Sequence, residues 1–213
     1  MQAGSSAPAA GMSTVGRSFE RLAAICAVAA GVGGFLYSIA FVADAASDSS
    51  FADLSSSLLL LITGLVTLVA LIGVHEHVRR VDASFALLAV VLAAIANTGA
   101  IVHGGFDLAN IVHEPPVPID LPNAVDPRGL MTFGVSALAI ALFSWLMGSS
   151  DSFPGGLSRL GYALAVLLML LYLGRLIILD ASDPIVVGAA LLTGLVASPA
   201  WFIWTGMSLR RTT

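Results

Sequence analysis

Lysine is absent from this chain, cysteine occurs once, and charge of either sign is scarce: nine arginines and thirteen acids in 213 residues. Charged residues make up 10% of the sequence, against about 25% in a soluble domain. That scarcity excludes an ordinary water-soluble fold. A net charge of −4 with no basic face excludes a nucleic-acid partner. The lone Cys26 excludes a disulfide within the chain and reads as a small buried apolar residue. Strict polar/apolar alternation, the mark of a membrane barrel strand, is missing too. What fills the space is apolar: 58% of residues, with a mean hydropathy of +0.97.

The apolar residues fall into runs at about 20–43, 54–75, 83–103, 129–149, 157–179 and 185–207. Each is near the roughly 20 residues a helix needs to cross the hydrocarbon. Backbone groups in lipid must be paired within their own segment, so the runs predict an all-α bundle of six transmembrane helices. They leave no room for a soluble domain. Residues 1–16, small and polar, read as a disordered tail. Residues 17–213 read as one membrane domain with a proline-rich outer loop at 104–128. An A-x-A-like site, "VADA" at 42–45, follows the first run. That run exceeds the 7–15 residues of a signal peptide, so it reads as an uncleaved helix.

If the helices alternate in direction, Arg17, Arg21, Arg79, Arg80, Arg159, Arg210 and Arg211 share one side, and only Arg128 and Arg175 take the other. Such a bias predicts both termini in the cytoplasm. Trp145, Trp201 and Trp204 come out near the arginine-rich boundary, and Tyr37 and Tyr172 near the opposite one. Arginine without lysine, beside much Ala, Gly and Val, points to a GC-rich bacterial genome and hence to a bacterial inner membrane. The expected partners are the lipid bilayer and either a second copy or another membrane protein.

Two further patterns concern assembly. "RLAAICAV" and "RLGYALAV" open the first and fifth helices, and "LLLITGLV" and "ALLTGLV" recur in the second and sixth. This suggests a parallel hairpin repeat, helices 1–2 and 5–6, about an axis along the membrane normal. Small residues four apart (Ala29 and Gly33, Ala30 and Gly34), with Ser55, Ser56, Ser57, Gly64, Gly188, Gly194 and Ala197, predict close helix packing. Pro199 should bend the last helix.

Chemistry-bearing side chains concentrate in "HGGFDLANIVHE", residues 103–114. His103, Asp107, His113 and Glu114 are suitable ligands for a divalent metal. His103 and Asp107, four apart, would share a face if the helix continued, although Gly104 and Gly105 weaken that continuation. Asn97, His103 and Arg175 are polar groups at membrane depth and could line an outward-facing pocket. His75 and His77 read as interfacial residues leading into a positive loop. "GVSA" at 134–137 is similar to the G-x-S-G nucleophile motif of rhomboid proteases. That family takes its base from the sixth helix, which here lacks histidine, and Ala137 replaces the second glycine. Ser136 therefore reads as a packing residue. The ending "SPAWFIWTGMSLRR" resembles the close of small bacterial six-helix integral membrane proteins of the domain-of-unknown-function type. The resemblance covers the last helix and implies no activity. The sequence thus favours a non-catalytic multi-pass protein with no catalytic residue and no cofactor, acting through helix packing and its acidic outer loop. A small carrier and an outward-facing metal-dependent enzyme are the alternatives.

Overall fold

The computed structural model describes residues 14–47, 50–113, 130–178 and 183–211. Among these, α1 spans Thr14–Ser47, α2 Ser50–Val78, α3 Ala83–Val112, α4 Ser136–Gly148, α5 Gly155–Ile177, α6 Pro184–Leu191 and α7 Ser198–Arg211. One π-helical turn, Leu130–Val135, leads into α4, and a second, Leu192–Ala197, joins α6 to α7. Six stretches are long and apolar enough to cross a membrane: Ser18–Ala43, Ser50–Val78, Ala83–Val112, Met131–Gly148, Gly155–Ile177 and Pro184–Arg211. The shortest has 18 residues, or about 27 Å at 1.5 Å per residue, close to the ~30 Å of a bilayer core.

Local chemistry sets the helix starts. The Asp82 carboxylate accepts from the backbone N–H of Ser84 and Phe85, both at 3.0 Å, and so caps α3. Such a cap contributes about 1 kcal/mol. Asp183 accepts from Ile185 N–H at 2.8 Å, and Pro184 takes the first turn of α6, where a missing N–H costs nothing. Between α2 and α3 the chain reverses within four residues, 79–82. Between α4 and α5 the Ser158 hydroxyl donates to the Ser144 carbonyl at 2.6 Å and ties the two helices together.

Each span packs on its neighbours in sequence, and the sixth returns to the first, so the six form a closed ring. His77 at the end of α2 lies beside Glu20 of α1 and Phe153 of the α4–α5 turn. Phe85 at the start of α3 meets Trp145 of α4 edge-on at 5.2 Å. These contacts gather the helix ends carrying Arg79, Arg80, Arg159, Arg210 and Arg211 into one basic end. The opposite, acidic end gathers the close of α3 with the start of α2 and the close of α5 with the start of α6.

The largest fully buried side chains gather in one half of the ring. Trp201, Phe143, Leu146, Met147, Leu157, Leu209, Val74 and Val78 are all fully buried, and they lie toward the basic end. Toward the acidic end most of the buried residues are small or polar, among them Ser56, Ser57, Ala96, Asn97, Ala100 and Thr193, with Leu171 and Val186 the larger ones. With lipid removing the hydrophobic drive between helices, close backbone approach does the holding there. A Cβ on Gly104 would lie 2.6 Å from the Ser57 carbonyl oxygen of α2, and one on Gly33 would lie 2.6 Å from Thr63 Oγ1.

Four sequence expectations change. The outer loop does not begin at 104, because α3 continues to Val112. Gly104 serves the α2 contact rather than ending the helix, and the remaining loop residues, 114–129, lie outside the described ones. Of the expected tail 1–16, residues 14–16 are already helical and 1–13 lie outside the described residues. The last span does not simply bend at Pro199: its irregularity is the π turn at 192–197, just before that proline. The paired small residues of α1 also divide. Ala30 is buried and Gly33 presses on α2, while Ala29 is exposed and Gly34 meets nothing within 4 Å.

Candidate functional site

The 30 residues of α3 make a rod of about 45 Å, longer than the hydrocarbon is thick. With Ala83 at one boundary, His103 stands near the other and the last turns project beyond it. Continuation through Gly104 and Gly105 brings His103 and Asp107 onto one face, and Nε2 meets Oδ2 at 3.0 Å. Their side chains are 26% and 34% exposed, so the pair sits half in water.

Asp107 is the centre of this end. Its carboxylate acts electrostatically on the Tyr37 hydroxyl of α1, and so does the Arg175 guanidinium of α5. Asp107 also lines an open cleft of about 520 Å³ with Asn110 and Ile111 of α3 and Ser50 and Asp53 of α2. Three helices therefore contribute a phenol, an imidazole–carboxylate pair and a guanidinium to one neighbourhood. Beside it lies a cleft with two carboxylates, an amide and a hydroxyl. A lining of that kind attracts a positively charged or hydroxylated solute.

Of the predicted pocket residues, His103 and Arg175 both reach the surroundings of Asp107, although Arg175 forms no ion pair among the described residues and remains exposed. Asn97 is buried, and its amide donates to the Ala93 carbonyl of its own helix at 2.7 Å. Six residues separate it from His103, about 9 Å along the axis and two-thirds of a turn around it. Of the predicted metal ligands, His103 and Asp107 meet. His113 caps the exposed end of α3, ten residues beyond His103, and Glu114 lies outside the described residues. Among the described residues no three His, Cys, Asp or Glu side chains are grouped as a metal would require. No protein-family model, curated protein or solved structure matches the chain.

Three participants escaped the sequence reading. The sequence places Tyr37 only as an interfacial ring and gives Asp53 no role of its own. Glu20 had not been singled out, yet it meets His77 at the basic end, Oε1 to Nε2 at 3.9 Å, with side chains only 20% and 11% exposed. His77 Nδ1 lies 3.0 Å from the Gly73 carbonyl. A carbonyl can only accept, so Nδ1 carries the hydrogen and Nε2 is left facing Glu20. His77 stands in the last turn of α2, and its ring turns inward, against Glu20 and the edge of Phe153. A carboxylate within an apolar run was the available signal. Its partner, 57 residues away, had none.

Proposed function

We propose that this chain is a multi-pass protein of a bacterial cytoplasmic membrane, with its basic end in the cytoplasm, and that it acts as a small carrier for an organic cation. The single observation behind the reading is the position of Asp107. One carboxylate pairs with His103 and lines the open cleft. Two features support carriage over simple packing. Among the described residues the acidic end carries a polar cleft between the ends of α2 and α3, while the basic end is filled by Trp201, Phe143, Leu146 and Met147. A bundle open at one end and closed at the other is the minimum arrangement for alternating access. The arginine bias supports the orientation by the positive-inside rule. The hairpin repeat of spans 1–2 and 5–6 belongs to the same proposal, with the sixth span interrupted where α2 is continuous.

The test uses the full chain in lipid nanodiscs with spermidine and choline as probes. A ligand at a hundredfold excess over its Kd raises apparent stability by about 2.7 kcal/mol. Wild type should therefore melt at a higher temperature with one of the two cations, and Asp107→Asn should not. Proteoliposomes should take up the same cation. No stabilisation and no uptake with either probe would refute the reading.

A further inference from the structure

The sixth span differs from the other five in being built of two unequal halves. α7 is anchored: Pro199, Trp201, Phe202, Thr205, Gly206, Ser208 and Leu209 are all buried in the plugged half of the ring. α6, by contrast, buries Val186 alone. Between them the α-helical ladder is broken. Ser198 N–H reaches back five residues to the Thr193 carbonyl rather than four. Pro199 follows with no N–H, so the Leu195 carbonyl loses the donor a regular helix would supply. The Thr193 hydroxyl is buried, with no hydrogen-bond partner among the described residues, so it does not brace the turn. Interruptions of this kind recur at functional sites in long helices. The other π turn, Leu130–Val135, stands at the start of α4 and divides nothing among the described residues.

The joint and the tip of α6 both lie beside the acidic-end site. At the joint, Gly194 is pressed against Ser38, the neighbour of Tyr37. Near the tip, Val186 lies 3.3 Å from where a Cβ on Gly174 would sit, and Gly174 precedes Arg175. Asp107 and Arg175 both act electrostatically on the Tyr37 hydroxyl. An eight-residue arm is about 12 Å long, so a 20° change at the joint moves its tip by about 4 Å.

We infer that the sixth span is a jointed arm, in which α7 stays fixed in the basic half while α6 swings about Leu192–Ala197 and shifts the surroundings of Arg175 and Tyr37. That this motion controls access to a bound solute rests on the carrier reading; the motion itself does not.

Electron-spin distance measurements on the full chain in nanodiscs test it, with Cys26→Ser removing the native thiol. One labelled pair, Val102→Cys with Val187→Cys, reports α6 against the acidic end of α3. A second, Leu87→Cys with Met207→Cys, reports α7 against the basic end of α3; all four positions are exposed. The first pair should give a distribution roughly twofold broader than the second, as a hinge between a packed and an unpacked segment requires. Pro199→Ala restores an N–H and should narrow the first pair alone. A first pair as narrow as the second overturns the arm, as does a broad first pair that Pro199→Ala leaves unchanged. If Pro199→Ala does not fold, the comparison of the two pairs decides. A rigid arm with spermidine binding intact refutes only this inference, and a swinging arm without binding refutes only the carrier reading.

Discussion

The two ends of the ring are made of the same helices but held by different means. Toward the basic end, aromatic and long aliphatic side chains from α2, α4, α5 and α7 interlock until none of their surface is left. Toward the acidic end, serine, alanine and glycine bring backbones together, and charged groups occupy the remaining space. In lipid, apolar side chains gain nothing by leaving the solvent, so filled volume, close approach and hydrogen bonds between helices hold them together. A filled end is therefore rigid and closed. A sparsely filled end can admit water and a solute. The contrast explains why the polar cleft, the half-solvated His103–Asp107 pair and the loosely held α6 all occur at one end.

That contrast can be broken by substitution. The largest effect should come from Phe143→Ala, which empties volume in the plugged half and should cost about 3 kcal/mol, read as an earlier midpoint of unfolding by SDS from mixed micelles. A loss well under 1 kcal/mol would mean that this half is not the anchor. Smaller, and decided by position, is the effect of a single methyl on two glycines. Gly104→Ala drives a Cβ into the Ser57 carbonyl and should cost about 1–3 kcal/mol. Gly34→Ala meets nothing and should be neutral or gain about 0.5 kcal/mol. Equal effects at both sites would show that close approach of α2 and α3 does not hold the acidic end. Smallest for stability should be Asp107→Asn, below about 1 kcal/mol, because its pair with His103 is partly solvated. The same variant should lose all cation-induced stabilisation. A variant that kept the stabilisation would remove Asp107 from the site.

Much of the architecture was legible in the chain, though not evenly. Six apolar runs marked the six long helices that the structure bears out, because that signal is local composition. His103 and Asp107 could be paired from their spacing alone once the helix was taken to continue. Gly104 misled: a glycine that ends a helix and one that admits a neighbouring helix are the same letter, and only Ser57 tells them apart. Pro199 signalled an irregularity but not its kind, since whether the ladder is kinked or widened depends on what packs against the turn. Tyr37, Glu20 and Asp53 were missed because each acquires its role from a residue on another helix.

The sequence by itself determined six spans and the uneven sharing of arginine between the two ends. These follow from local composition and a fixed rise per residue. It could not determine which face of each helix looks inward. These helices are apolar on nearly every side, and a helix that is oily all round carries no periodic stripe to orient it. Rotation about the axis, and with it the meetings of His77 with Glu20 and of Gly104 with Ser57, was decided by how small and large side chains fit between neighbours.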